Sequence, residues 1–134
     1  SPGGEIVHQG ELFRVVLIDD VNYPGFCRVI WRDHIKEVTD LNELDRMHMM
    51  DILWQVEQVV RDVMQPEKIN LASLGNMVPH LHWHVIPRYT DDAHFPSPAW
   101  SETKRVPSPQ SLLSRREKLP LLRKKLQQHL AGYT

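Results

Sequence analysis

The chain has 134 residues, of which 41% are hydrophobic and 25% charged, and its formal net charge is −1 at pH 7. This size and composition predict one globular domain with a single core and exclude a disordered chain. No apolar run approaches the roughly 18 residues that a membrane-spanning helix needs, and no secretory signal pattern opens the sequence. The only cysteine, Cys27, cannot form an internal disulfide, so a cytoplasmic location is expected by default.

The charge is unevenly divided along the chain. Residues 1–101 contain 8 Lys/Arg and 15 Asp/Glu, whereas residues 102–134 contain 8 and 2. A basic tail permits nucleic-acid binding. A solvated helix face that offsets the acidic body, or meets it across a subunit interface, is the simpler interpretation. Nucleic acid is therefore not favoured as a partner.

The first third of the chain predicts a β-hairpin. Residues 1–4, Ser-Pro-Gly-Gly, resemble a flexible lead-in or an expression scar, and residues 5–8 suit a short edge strand. Residues 12–18 and 26–31 are apolar and rich in β-branched side chains, as strands are. The turn residues between them include Pro24-Gly25. These two strands are expected to pair with each other.

A long amphipathic helix is predicted next. Asp40 and Glu43 match a capping box with Asp40 as the N-cap residue. Apolar residues then recur at helical spacing for about 24 residues, until Gln65-Pro66 ends the pattern. The methionine-rich stripe is interpreted as core filling. Its apolar members are Leu44, Met47, Met50, Leu53, Trp54, Val56, Val60, Val63 and Met64.

The second half predicts two more strands and a C-terminal arm. Residues 68–74 read as a strand, and four prolines in 96–109 indicate an extended arm. Helical character returns over 112–130, with Pro120 in the first turn of a final helix. This order predicts an α+β fold, with an about five-stranded, mainly antiparallel sheet, one long helix and a C-terminal arm and helix. An exposed sheet edge makes a homodimer plausible.

Three histidines at every second position dominate the sequence between residues 80 and 86. Strict alternation with apolar residues predicts a strand that carries His80, His82 and His84 on one face, roughly 7 Å apart. Three interpretations are open for this face: exposed surface histidines, a metal site, or phosphate chemistry with a histidine nucleophile. Three ligands spread along one straight strand cannot easily close a zinc tetrahedron. Phosphate chemistry is therefore favoured.

The run from His80 to Ile86 resembles the signature of the histidine triad (HIT) superfamily, in particular bacterial dinucleoside-polyphosphate hydrolase-like members. The preceding Gly75-Asn76-x-Val78 also resembles the loop that leads into that motif. The resemblance implies a HIT domain over 5–95, followed by the proline-rich arm and basic helix of 96–134. It also implies a nucleotide as the small-molecule partner.

The resemblance implies a covalent mechanism. His82 would attack the α-phosphorus of a dinucleoside polyphosphate or a nucleoside phosphoramidate and form a nucleotidyl-histidine intermediate, which water then hydrolyses. His84 would contact the phosphate oxygens or the leaving group, and His80 would help to hold the site. No metal and no cofactor would be required.

The resemblance also implies substrate contacts outside the triad. Asn70 would orient the phosphate or the nucleophile, the loop around Asn76 would donate backbone N–H groups, and Asp20 would contact ribose. The predicted binding residues are Asn70, Gly75, Asn76, Met77, Val78 and Asp20. Asn76 replaces the usual Gln, and Met77 replaces a Ser or Thr that helps the leaving group. These departures motivate the alternative of a nucleotide-binding regulatory module with little or no turnover.

Two further residues have open roles in the sequence. Arg88 could reach substrate phosphate or pair with Asp91 or Asp92. Trp100, in the proline-rich arm, suits a dimer anchor or a lid over the nucleotide, with the anchor slightly favoured.

Overall fold

The computed structural model describes residues 4–134. Residues 1–3, part of the predicted lead-in, lie outside the described range, and Gly4 already belongs to the first strand. The strands are β1 (Gly4–Gln9), β2 (Phe13–Ile18), β3 (Cys27–Trp31), β4 (Lys68–Ala72) and β5 (His82–Arg88). The helices are α1 (Glu43–Met64), α2 (Pro109–Arg116) and α3 (Leu119–Leu130), with a short 3₁₀ turn over Val38–Asp40.

The five strands form one sheet in the order β1-β2-β3-β5-β4, and every neighbouring pair is antiparallel. This confirms the predicted α+β fold, including the edge strand at the N-terminus and the hairpin of β2 and β3. Strand β4 ends at Ala72, two residues before its predicted end. The C-terminal helical region is two helices, and Pro120 lies in the first turn of α3 as expected.

Helix α1 begins later than the sequence predicts. Its N-cap is Asn42, whose side-chain oxygen accepts from the Asp45 N–H at 2.8 Å. Asp40 instead caps the preceding 3₁₀ turn, where its carboxylate accepts from the Glu37 N–H at 3.1 Å. A short polar side chain satisfies the helix N–H groups in both arrangements, so composition alone did not distinguish Asp40 from Asn42. The helix ends at Met64, and its C-cap residue Gln65 is in the left-handed conformation with φ 49°, immediately before Pro66.

The main core lies between one face of the sheet and helices α1 and α3. Buried members on α1 include Met49, Ile52, Leu53, Val56, Val59, Val60 and Met64, and those on α3 are Leu122, Leu126 and Leu130. The predicted core stripe is therefore wrong at three positions, because Leu44, Met47 and Trp54 are 78%, 64% and 58% exposed. Helical periodicity does not tell which apolar face meets the sheet when a helix carries two.

The opposite face of the sheet carries the histidines. Part of it is covered by a smaller apolar cluster, in which Tyr23, Phe26 and Ile86 are buried and Ala99 of the arm packs against them. No helix within residues 4–134 contributes to this cluster. No helix in residues 4–134 has the length and apolar character needed to cross a membrane.

Candidate active site

Strand β5 begins at His82, not at His80. His80 lies in the bend before the strand, so the prediction that all three imidazoles share one strand face is wrong for His80. His82 and His84 do share a face, and their rings are 4.9 Å apart and nearly perpendicular, at 84°. The structure thus separates the triad into two strand histidines and one histidine in the preceding bend.

The hydrogen bond of His82 determines which of its nitrogens is nucleophilic. Its Nδ1 lies 2.6 Å from the backbone oxygen of His80. A carbonyl oxygen can only accept, so Nδ1 carries the proton in this contact. In the neutral ring the lone pair is then on Nε2, which makes no hydrogen bond within residues 4–134. An uncommitted ring nitrogen with a lone pair is what attack on phosphorus requires.

His80 is fixed by groups on both sides of its ring. Its Nε2 donates to the backbone oxygen of Trp31, by the same reasoning, which leaves Nδ1 as an acceptor in the neutral ring. His34 Nδ1 lies 3.1 Å from that atom and donates to it. His34 is exposed, and its contact with His80 was not predicted from the sequence.

His84 is held neutral at physiological pH. Burial, and after it the positive charge of Arg28, lowers the pKa of His84 to about 4. The Arg28 Nε–H donates to His84 Nδ1 at 3.3 Å, so the single proton of the neutral ring lies on Nε2. His84 can therefore donate one hydrogen bond through Nε2–H beside His82. It is only 8% exposed.

Aromatic side chains surround His84. Phe26 meets it edge-on with ring centroids 5.6 Å apart, and Trp100 lies 6.0 Å away at a tilt of 51°. The arm thus places Trp100 beside the triad while leaving 54% of this side chain exposed. This contact favours the lid over the dimer anchor. Trp83 faces the main core, as the alternation predicts, and is partly buried there.

The loop between β4 and His80 offers unpaired backbone donors. Gly75 has φ +86°, a conformation that favours glycine. Among the described residues, the N–H groups of Asn76, Met77 and Val78 bond to nothing, and all three residues are exposed, Met77 at 95%. Ser73 ties the start of this loop to the site, because its hydroxyl donates to the His82 carbonyl at 2.8 Å. The loop is thus adjacent to the triad, with its donors free.

Asn70 and Arg88 belong to a buried network beneath the arm. Arg88 Nη1 donates to Asn70 Oδ1 at 2.8 Å, and Arg88 Nε donates to Asp92 at 2.8 Å. Of the two roles open for Arg88, the structure shows the ion pair, with Asp92. Asn70 nevertheless faces the same side of the sheet as the histidines, because it pairs across the strands with Ile86. Its amide nitrogen has no partner within residues 4–134.

Asp20 lies apart from the triad. It sits in the turn between β2 and β3, where its carboxylate accepts from the Asn22 N–H at 2.9 Å and its carbonyl accepts from Tyr23. No contact joins Asp20 to a triad histidine in the described part of the chain. Its predicted ribose contact therefore stays a prediction.

No group of three or more His, Cys, Asp or Glu side chains among residues 4–134 is arranged to hold a metal ion. His34 and His80 form only a pair. The expectation that no metal and no cofactor is required stays a prediction.

Arg28 is the functional candidate that sequence reasoning missed. It pairs directly with His84 across β3 and β5. The only sequence signal was a charged residue inside an otherwise apolar strand, and only the strand order places it next to the triad. His34 carried no signal of its own, since its contact joins residues 46 apart.

The fold and the site define a class of protein: a five-stranded antiparallel sheet with a histidine pair on its open face and a third histidine in the bend before it. A family model described as "HIT domain" matches residues 3–91. The chain belongs to this histidine triad family. Its family and fold, as the sequence predicted them, are thereby confirmed.

Individual relatives agree with this assignment. The chain is 29% identical to a histidine triad protein of known structure from Bradyrhizobium japonicum, with a TM-score of 0.76 and coverage of 92% of this chain and 91% of that one. A histidine triad protein from Marinobacter aquaeolei VT8 is 26% identical, with a TM-score of 0.76 and coverage of 98% and 92%. Over 98 residues the chain is 30% identical to the AP-4-A phosphorylase of Mycobacterium tuberculosis H37Rv. That match covers 69% of this chain but about half of the relative's length.

Proposed function

We propose that this protein is a nucleotide hydrolase or transferase that attacks the α-phosphorus of its substrate through His82. The observation that carries the proposal is the hydrogen bond of His82 Nδ1 to the His80 carbonyl, which leaves the Nε2 lone pair free beside the neutral, donating His84. A neutral imidazole is a competent nucleophile near pH 7.

The proposed reaction has two displacements. The Nε2 lone pair of His82 forms a nitrogen–phosphorus bond as the bond from phosphorus to the leaving group breaks, and the leaving group takes the electron pair. Water or another acceptor then forms a new bond to phosphorus, loses a proton, and His82 leaves with its electron pair restored. Hydrogen bonds from His84 Nε2–H stabilise the charge on the phosphate oxygens or the leaving group in both steps.

The remaining predicted residues have supporting roles in this proposal. His80 holds the carbonyl that orients His82, and the free N–H groups of Asn76, Met77 and Val78 cradle the phosphate oxygens. The Asn70 amide nitrogen faces the same side of the sheet, and Asp20 contacts ribose. Gly75 provides the turn that presents the loop.

A dinucleoside polyphosphate is the favoured substrate, and a nucleoside phosphoramidate is the second candidate. The name of the M. tuberculosis relative, AP-4-A phosphorylase, supports the first. Because the chain spans about half of that relative, the substrate is a proposal rather than a property carried over.

Trapping of the intermediate tests the mechanism. The protein is mixed with a panel of dinucleoside polyphosphates and nucleoside phosphoramidates, quenched in alkali, in which a nitrogen–phosphorus bond survives, and analysed by peptide mass spectrometry. A nucleoside monophosphate adduct on the peptide that contains His82 is expected with each substrate that turns over. Turnover without any such adduct would reject the covalent route.

A regulatory module with little turnover is the alternative. Met77 supports it, because this exposed side chain has no hydroxyl to offer to a leaving group. It predicts that AMP raises the melting temperature while no substrate of the panel is consumed. Consumption that depends on His82 rejects it.

We propose further that the protein is a homodimer in the cytoplasm. Leu44, Met47 and Trp54 lie on one side of α1 and are exposed, and β4 is an unpaired edge of the sheet. A second copy would cover both features. Sedimentation is expected to give twice the chain mass of 15.7 kDa at micromolar concentration, and Trp54→Glu to give the monomer. Leu121→Glu is the control, because this residue is exposed on α3, and the variant should stay dimeric. A monomeric wild type would contradict the proposal.

A further inference from the structure

Two arginines share the open face of the sheet with His82 and His84. Arg28 on β3 lies opposite His84, and Arg14 on β2 lies opposite Ile30, which in turn lies opposite His82. Residues paired across antiparallel strands point to the same face. With strands about 4.8 Å apart, Arg28 is one strand and Arg14 two strands from the triad.

Neither arginine is neutralised. The ion pairs within residues 4–134 involve Arg88, Arg115 and Arg123 only. Arg28 contacts His84 through Nε and lies over the Phe26 ring, but its two Nη atoms donate to no described residue. Arg14 Nε is buried without a partner. Burial of a hydrogen-bond donor without an acceptor costs free energy. We therefore expect a bound group to supply the acceptor for Arg14 Nε.

The strands bring no carboxylate to this face. The cross-strand partners of the two arginines are Val16, His84, Gln9 and Ile30. Glu5, the acidic residue of β1, pairs with Arg123 of α3 on the helix side. Two half-buried arginines with unpaired donors on the same face as His82 and His84, with no acidic neighbour on the strands, are a surface suited to anions.

We propose that Arg28 and Arg14 form a second anion subsite, which binds a phosphate group of the substrate other than the one attacked by His82. This inference rests on the proposed function, because the triad supplies the position of the reacting phosphate. The second phosphate comes either from the phosphate chain of the leaving group or from the ribose of the bound nucleotide. Both present the oxygen acceptors that the guanidinium groups lack.

Calorimetry with unreactive ligands tests the subsite and distinguishes the two sources. The wild-type protein is titrated with AMP, with α,β-methylene-ADP and with adenosine 3′,5′-bisphosphate. One of the two bisphosphorylated ligands is expected to bind about tenfold or more tightly than AMP, since hydrogen bonds to charged groups are strong. Preference for the methylene analogue assigns the subsite to the phosphate chain, and preference for the 3′-phosphate assigns it to the ribose.

Substitutions test whether Arg28 and Arg14 provide the added affinity for the second phosphate. Arg28→Gln and Arg14→Gln are each expected to reduce the preference for the second phosphate to within about threefold of AMP binding. Arg61→Gln, the same charge change on exposed helix α1, should leave it unaltered. Equal binding of all three ligands, failure of all three to bind, or a preference that survives both arginine variants would overturn the subsite.

The outcome is separable from that of the proposed function. The calorimetric ligands do not react, whereas adduct trapping reports the chemistry. A preference lost in both arginine variants without any His82 adduct supports the subsite and rejects the chemistry. A His82 adduct without a preference for the second phosphate supports the proposed chemistry and rejects the subsite.

Discussion

Replacement of His82 with alanine is expected to reduce substrate turnover by at least about 10³-fold, because in the proposed mechanism this residue supplies the only bond from the protein to phosphorus. The hydrogen bond of His82 supports this expectation. Nδ1 of His82 donates to the His80 carbonyl at 2.6 Å, so Nε2 is the nitrogen left for the proposed attack. Initial-rate measurements with the best substrate of the panel give the effect. Binding of AMP should be much less affected, since the N–H groups and other side chains remain.

A matched histidine control accompanies this measurement. His129 is exposed on α3, outside the sheet, so His129→Ala removes the same side chain without touching the site. It should retain the wild-type rate. If His82→Ala and wild type release nucleotide equally fast, His82 is not the nucleophile, and the proposed mechanism is wrong.

Replacement of Asp92 with asparagine is expected to cost about 3–5 kcal/mol of unfolding free energy, and roughly 10 to 20 °C in melting temperature. Asp92 is 0% and Arg88 2% exposed. The Asp92 carboxylate accepts from Arg88, from the Tyr23 hydroxyl and from backbone N–H groups of residues 89, 94 and 95. Asparagine keeps the size but leaves the buried guanidinium without its counter-charge.

The adjacent Asp91 is the control for this substitution. Its ion pair with Arg115 is 2.6 Å long, but its side chain is 46% exposed. Asp91→Asn is therefore expected to cost no more than about 1 kcal/mol. Urea unfolding of both variants measures the difference. Equal losses of unfolding free energy in the two variants would show that the buried Arg88–Asp92 pair stabilises the fold no more than the more exposed Asp91–Arg115 pair.

The pH dependence of the unfolding free energy is a second test of the contribution of Asp92 to stability. Burial by itself would raise its pKa, but the hydrogen bonds from Arg88 and the backbone lower it to about 2, from 3.8 in the unfolded chain. The stabilisation is thus present above about pH 4 and is lost as the pH falls through 2, a total change of roughly 2.5 kcal/mol. Between pH 5 and pH 2 the wild type should lose about 2 kcal/mol more stability than Asp92→Asn. Parallel losses would contradict the assigned shift.

The arrangement of Trp100 shows why some roles were open in the sequence. The proline-rich segment predicts an irregular arm, and residues 96–108 have no helix or strand. Where such an arm packs depends on distant partners: Arg88 Nη2 donates to the Ser97 carbonyl, and Arg105 donates to the Asp92 carbonyl. No local pattern encodes these contacts. The side of α1 that carries Trp54 was misassigned for the same reason.

The sequence by itself determined the family and the strand and helix types, and it predicted His82 as the nucleophile. Alternation places His82 and His84 on one face of a strand whatever the strand pairs with, because successive side chains point to opposite sides. Only the tertiary structure decided the chemical state of those histidines. The neutrality of His84 depends on burial and on Arg28, 56 residues away in the chain, and the contact of His80 with His34 spans 46 residues. Charge and hydrogen bonding act through space, and strand order sets which residues meet.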